Sequence, residues 1–308
     1  MEITVIRSGM LTTVQDLGRT GHRAAGVPLG GAMDPVALRV ANLLVGNPED
    51  AAALECTLLG PELVFSADTW VALGGAEFEG LVAWQPRFVH AGERLKLGAA
   101  RRGCRGYLAV AGGINVPPVL GSRSTYLRGG FGGLQGRALR DDDVVSAANA
   151  VRRVHDHWRI DARILPDYSA SPTVRVVAGA QRDEFGGALF AAEFKILPQS
   201  DRMGIRLGAA KLVRIGGGGE LVSSAVAPGT VQVPPDGQPI VLMADAQTLG
   251  GYPMAAHVIA VDLPLVAQLR PGDRLRFAEV PLEEAHQLAM QRERVLALLH
   301  EGLAQKVR

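Results

Sequence analysis

The sequence predicts a turn-rich, mainly β protein made of two related β-barrel halves, with a few short helices and a long helix at the C-terminus. Three observations carry that expectation. Glycine supplies 38 of 308 residues, about 12% against a usual ~7%, and 18 prolines join it with no period of three that would indicate collagen. Short β-like runs such as Leu63-Val64-Phe65, Trp70-Val71-Ala72-Leu73 and Tyr107-Leu108-Ala109-Val110 recur between turn signals, a spacing that suits a barrel or sandwich better than a βαβ array. Finally, Gly92-Glu93-Arg94-Leu95-Lys96-Leu97 echoes Gly272-Asp273-Arg274-Leu275-Arg276-Phe277, with Asp141-Asp142-Asp143-Val144-Val145 as a degenerate third copy. An acid after a turn residue, then an alternating strand, is also a common hairpin entry, so chance stands as the alternative.

In chain order, Ile3 to Ile6 reads as a strand and Thr12-Thr13-Val14-Gln15-Asp16-Leu17-Gly18-Arg19 as part of a Gly-rich loop. The clearest helix start follows. Asp34 suits the N-cap and Pro35 the first helical position, Val36, Leu38, Val40, Ala41, Leu43 and Leu44 supply buried faces, and Gly46-Asn47-Pro48 stops the helix. Residues 1–150 form the N-terminal half. The polar stretch 151–172, closing on Ser169-Ala170-Ser171-Pro172, reads as a linker, and residues 173–308 form the second half. That half opens with a strand at Thr173 to Val177 and a short helix at Asp183 to Phe190. It ends in a helix from about Leu282, with Glu283 and Glu284 at the positive end of its dipole and Leu288, Val295 and Leu299 on one packed face.

Hydrophobic residues at 47%, charged residues at 20% and a net charge of +1 exclude a disordered chain and a nucleic-acid binder relying on a broad basic surface. The N-terminus lacks a signal peptide's basic and apolar regions, and no apolar run approaches the ~18 residues of a membrane span. A cytoplasmic protein, free of membrane and nucleic acid, is the expectation. Cys56 and Cys104 read as buried small hydrophobes. Gly216-Gly217-Gly218-Gly219-Glu220 lacks the Lys and Ser/Thr of a phosphate loop. Gly130, Gly132 and Gly136 depart from dinucleotide-binding spacing, and no GxSxG elbow occurs. His155 and His157 read as solvated surface histidines, and no metal site is expected.

Several blocks exceed what turns require: Gly26-Val27-Pro28-Leu29-Gly30-Gly31-Ala32-Met33-Asp34, Gly121-Ser122-Arg123-Ser124-Thr125, Arg128-Gly129-Gly130-Phe131-Gly132-Gly133, Ser200-Asp201-Arg202-Met203-Gly204, Gln232-Val233-Pro234-Pro235-Asp236-Gly237-Gln238-Pro239 and Gln247-Thr248-Leu249-Gly250-Gly251-Tyr252-Pro253. On these blocks, the chain from about Ile3 to Phe277 resembles the family variously called the 5-oxoprolinase C subunit, allophanate hydrolase subunit 2, KipA and biotin-dependent carboxyltransferase. The chain departs from the family's motifs at Met254, where Lys often follows GGYP, and at Gly179-Ala180-Gln181, where Gly-Pro-Gln is usual.

The resemblance implies cyclophilin-like barrels, with a KipI-like B subunit and a third, A subunit as partners. Together these open 5-oxo-L-proline to L-glutamate at the expense of ATP, whose site lies on this chain or is shared with a partner. No biotin-accepting Met-Lys-Met is present, so no biotin is carried here. The alternatives are the carboxyltransferase subunit of a biotin-dependent urea or amide carboxylase, and a non-enzymatic KipA-like antagonist of a kinase inhibitor.

A lactam acid calls for a cation for its carboxylate, donors for oxyanion charge and a base to move protons. Asp201 and Arg202 are the candidate catalytic pair, and their alternative is a turn in which Asp201 caps backbone while Arg202 faces water. Arg123, Arg128, Gln232, Gln247, Thr248 and Tyr252 are the candidate substrate contacts. For Asp245 a structural role is favoured, and Gly112, Gly113, Gly250 and Gly251 read as backbone devices.

Overall fold

The computed structural model describes residues 1–148, 154–208, 211–216, 219 and 221–306. Its contacts divide into two units, Met1–Arg19 with Gly30–Pro166 and Arg294–Arg308, and Thr20–Leu29 with Asp167–Glu293.

The first unit holds β1 (Glu2–Arg7), β2 (Leu11–Gln15), α1 (Pro35–Leu44), β3 (Ala53–Thr57), β4 (Glu62–Phe65), β5 (Thr69–Phe78), β6 (Pro86–Val89), β7 (Arg94–Lys96), β8 (Ala100–Val110), β9 (Ile114–Asn115) and β10 (Val144–Ala147). They form two five-stranded sheets, ordered β7-β4-β1-β10-β9 and β2-β3-β8-β5-β6. One core joins them: Val5, Leu63 and Leu95 from the first sheet meet Val14, Leu54, Leu73 and Leu108 from the second. Each such side chain, fully buried, contributes about 1.5–3 kcal/mol.

Helix α1 lies against β5 and β8. Its N-terminus is capped as the sequence predicts, with Asp34 Oδ1 accepting the Ala37 N–H at 2.9 Å and Pro35 at the first position. The helix approaches β5 closely because Gly74 has no side chain; a Cβ there would lie 2.2 Å from the Ala37 carbonyl oxygen.

The second unit holds β11 (Thr173–Ala178), α2 (Ala188–Ala191), β12 (Glu193–Ile196), β13 (Gly204–Gly208), β14 (Ser224–Ala225), β15 (Thr230–Gln232), β16 (Ile240–Leu242), β17 (Leu249–Gly250), β18 (Met254–Val258), α3 (Leu263–Ala267) and β19 (Arg274–Glu279). Seven of these strands close a barrel in the order β11-β18-β15-β16-β13-β12-β19, while β14 and β17 pair separately. The barrel's parallel seam is β11 with β19. Phe194 and Phe277 fill its interior with ring centroids 5.6 Å apart. Helix α4 (Leu282–Lys306) begins in this unit, and its residues from Arg294 belong to the first.

The sequence echo is one device used three times. In each copy a carboxylate accepts the backbone N–H three residues earlier: Glu93 from His90 at 3.0 Å, Asp143 from Arg140 at 2.7 Å, and Asp273 from Arg270 at 2.8 Å. The residue before the acid has positive φ, at Gly92, Asp142 and Gly272. Its N–H bonds a neighbouring carbonyl, at Phe65, Val5 and Ile196 respectively. Each turn then feeds a strand that alternates exposed and buried positions.

Four expectations require correction. Thr12 to Gln15 are strand β2, not loop, because β-branched Thr12, Thr13 and Val14 pair with β3. The helix expected over 183–190 is a 3-10 turn (Arg182–Phe185) and the one-turn α2, divided where Gly186 takes φ +55°. Within the stretch read as a polar linker, residues 151–153 lie outside the described residues. Val154 and Trp158 in that stretch are buried with Leu43 and Leu303 in the first unit. On α4, Leu288 and Leu299 pack as expected, but the most deeply buried residue is Leu296, which the expected face left out.

Gly217, Gly218 and Glu220 of the glycine run also lie outside the described residues. No helix among the described residues is long and apolar enough to cross a membrane.

Cys56 and Cys104 are both buried thiols. Burial pushes the Cys56 thiol up to about 12, which leaves about one molecule in ten thousand as thiolate at pH 8. Cys56 of the native chain is therefore expected to resist iodoacetamide at pH 8 and to react fully in urea. Mass spectrometry after digestion reads the result, and rapid native labelling would show that β3 opens.

Candidate functional site

In the second unit, three of the six expected residues, Gln232, Gln247 and Tyr252, are joined by hydrogen bonds, and Thr248 stands apart from them. Gln232 is buried on β15. Its Nε2 donates to the Tyr252 carbonyl at 3.4 Å, and its Oε1 accepts from Gln247 Nε2 at 3.5 Å. Gly250 makes room for that amide, since a Cβ there would lie 2.5 Å from Gln232 Nε2. Tyr252 is exposed and lines a cleft of about 580 Å³ together with Pro234, Pro235, Phe185, Lys211 and Arg214. Thr248 gives its carbonyl to the Val226 N–H at 3.0 Å and lines a different cavity.

Asp201 and Arg202 part company. Asp201 is exposed, and its Oδ1 accepts the N–H groups of Met203 and Gly204 at 2.8 and 3.2 Å, the turn-capping geometry of a short acid. Arg202 is buried and binds Asp245 through both nitrogens of a fork, Nε–Oδ2 at 2.9 Å and Nη2–Oδ1 at 3.0 Å. Both side chains are about one-twentieth exposed, at 6% and 5%. The Asp245 N–H adds a bond to the Arg202 carbonyl at 2.9 Å. This pair pins the start of the loop that carries Gln247, Thr248 and Tyr252.

Gln181, beside the Ala180 departure, meets the other departure, Met254. Gln181 Oε1 accepts the Met254 N–H at 2.9 Å, and the Gln181 N–H returns to the Met254 carbonyl at 3.0 Å. A Cβ at Gly179 would lie 2.2 Å from that same carbonyl oxygen.

Arg123 and Arg128 are exposed in the first unit, on a loop organised by a residue no motif singled out. Buried Asp16 accepts Ser122 Oγ at 2.6 Å, Ser124 Oγ, the Gly18 N–H at 2.8 Å and the Arg123 N–H. The Arg123 Nε then donates to the Val116 carbonyl at 3.1 Å. Below the loop, Arg19 bonds the Ser124 carbonyl and stacks over Phe131, 5.1 Å from the ring centre.

A second buried network anchors the Gly30–Asp34 block in the same unit. The Tyr107 hydroxyl donates to Glu55 Oε2 at 2.7 Å and accepts the Asp34 N–H at 2.8 Å, and Met33 N–H also reaches Glu55 at 3.0 Å. Burial and the neighbouring Glu55 and Asp34 carboxylates push the Tyr107 phenol well above its ordinary value, so it remains the donor.

A family model described as "Carboxyltransferase domain, subdomain A and B" matches residues 25–279. The chain belongs to this carboxyltransferase-domain family. It is 43% identical over 294 residues to the 5-oxoprolinase C subunit of Escherichia coli, covering 92% of this chain and 93% of that protein. It is 40% identical to the same protein of Haemophilus influenzae, covering 91% and 92%. Among solved structures, the Kluyveromyces lactis urea carboxylase superposes with a TM-score of 0.90 at 31% identity, over 98% of this chain and 29% of that one. The structure of TTHA0988 superposes at 0.81 and 35% identity, over 90% and 55%.

The polar groups that sequence reading passed over are Asp16, which holds the Arg123 loop, and Arg23 and His257, which line the cavity beside Thr248. Asp16 follows a β-branched run without a motif of its own, and His257 is a lone polar residue in the apolar strand β18. Arg23 sits in an otherwise featureless turn of small residues.

Proposed function

We propose that this chain belongs to an ATP-dependent 5-oxoprolinase of the cytoplasm, opening 5-oxo-L-proline to L-glutamate with a KipI-like B subunit and a third, A subunit. The single observation that carries the reading is the match to the 5-oxoprolinase C subunit, which spans nearly the whole of both chains. The urea amidolyase of Lachancea kluyveri is 32% identical but only 18% of it is covered.

The chemistry needs an activated lactam carbonyl, a base and oriented donors. ATP, bound on this chain or shared with a partner, makes the carbonyl a better electrophile. Asp201 offers a solvent-accessible carboxylate whose Oδ1 is held by two backbone N–H groups, leaving Oδ2 to accept a proton. Tyr252 and Gln247 supply neutral donors, and Gln232 sets the loop that presents them. Arg202 acts through Asp245 as a positioning residue.

A second reading is favoured by the urea carboxylase likeness: carboxyl transfer from a carboxybiotin carried by another chain. Both reactions act on a planar N–C=O group.

Co-expression with the two partners is expected to yield ATP-dependent glutamate release from 5-oxo-L-proline, lost in assembled Asp201→Ala and reduced at least tenfold in Tyr252→Ala. An intact complex that releases no glutamate overturns the reading, and carboxylation of an amide by carboxybiotin would put the second in its place.

A further inference from the structure

The cavity that Thr248 lines lies wholly in the second unit and measures about 600 Å³. Its polar side chains are Arg23, Thr230, Thr248 and His257. Arg23 of the 3-10 turn contributes a guanidinium, steadied by a bond from Nη2 to the Val226 carbonyl, and arginine keeps its charge in proteins. His257 of β18 stands opposite Thr230 of β15 in the barrel ladder. Alanines 24, 25, 225 and 227, with Val226 and Leu249, make up most of the remaining wall, and no Asp or Glu is among the described lining residues.

The state of the His257 ring follows from its neighbour. Thr230 is fully buried, and its Oγ1 accepts the Ala227 N–H at 3.2 Å. Its hydroxyl proton has His257 Nδ1, 3.2 Å away, as the nearest side-chain acceptor that the hydrogen bonds show. With Nδ1 accepting, the ring proton sits on Nε2. Burial pushes this imidazole below its ordinary value, which favours the neutral ring at pH 7. The cavity thus offers a permanent cation, an uncharged N–H donor and an apolar wall, with no carboxylate among its described lining residues to receive an ammonium group.

We propose that this cavity is a binding site for a small organic acid that has one carboxylate, a second acceptor such as an amide carbonyl, and no free ammonium. Arg23 takes the carboxylate and His257 Nε2–H donates to the second acceptor, with Thr230 as the positioning residue that selects the tautomer. A lactam acid fits this class and its ring-opened amino acid does not. Naming 5-oxo-L-proline as the occupant rests on the function proposed above, whereas the site rests on the cavity's own geometry.

The test uses the full chain labelled with [15N]histidine. Long-range 1H–15N spectra at pH 7 are expected to show His257 as the neutral Nε2–H tautomer, with Thr230→Val losing that preference. Titrated 5-oxo-L-proline is expected to shift the His257 nitrogens and saturate. Pyrrolidin-2-one, which lacks the carboxylate, and L-glutamate, which carries an ammonium, should each bind at least about tenfold more weakly.

Arg23→Met should weaken 5-oxo-L-proline about tenfold or more, and His257→Phe likewise, while His257→Gln, which keeps an N–H donor, should recover part of the loss. Thermal melting shows which variants are folded. The proposal falls if His257 is charged or carries its proton on Nδ1, if none of the probes saturates, or if pyrrolidin-2-one binds as well as the acid. It also falls if Arg23→Met and His257→Phe leave binding intact while Tyr252→Ala removes it.

The assembled enzyme separates the two hypotheses. Glutamate release with unchanged KM in Arg23→Met would leave the enzyme reading standing and sink this site. Binding as described without any glutamate release would do the reverse.

Discussion

Arg202→Met and Asp245→Ala are each expected to destabilise the second unit by about 3–5 kcal/mol, the usual consequence of leaving one member of a buried pair alone. Asp201→Ala, next door, should cost only about 1 kcal/mol, since it removes a solvent-accessible turn cap. The contrast follows from burial: the Arg202–Asp245 fork is almost sealed from water, whereas Asp201 bonds two backbone N–H groups in an exposed turn. Urea unfolding followed by circular dichroism gives both numbers. The double variant Arg202→Met/Asp245→Leu should recover much of the loss, because it removes both charges together. Equal effects at Arg202 and Asp201 would mean that the fork opens to solvent. This expectation also governs how kinetic variants are read, because activity lost in Arg202→Ala reports a displaced Gln247–Tyr252 loop before it reports chemistry.

Asp16→Ala should cost the first unit about 3 kcal/mol or more, since it strands buried donors that are each worth about 1–3 kcal/mol when unmet. Two serine hydroxyls and the N–H groups of Gly18 and Arg123 converge on this one carboxylate. Asp16→Asn keeps the shape and one acceptor oxygen, and about half the loss is expected. Thermal unfolding of both variants decides it. A wild-type melting temperature in Asp16→Ala would show that water replaces the carboxylate without penalty.

Much of the fold was legible because its signals are local. The Asp34-Pro35 start of α1 needs only a short side chain that bonds Ala37 and a ring that pre-sets φ. The echoed Gly-acid-strand segments were readable because one turn chemistry, a carboxylate folding back three residues, serves all three copies. The misreadings fall where local signals conflict with distant partners. Thr12 to Gln15 sit amid glycines and become a strand only because β3 is there to pair with them. Trp158 lies in a polar stretch and is buried because Leu43 and Leu303 receive it.

The sequence by itself determined the family, the β character and the blocks that matter, since each depends on residue types at fixed short spacing. Tertiary structure alone decided what those blocks do. Arg202 became one half of a buried ion pair because Asp245, 43 residues later, meets it across the barrel end. Asp16 became the anchor of the Arg123 loop through partners more than a hundred residues away. His257 gained a polar neighbour because the barrel's register sets Thr230 against it, with Oγ1 3.2 Å from Nδ1. In each case a polar side chain took its role from the partner that satisfied it on burial, and long-range pairing chose that partner.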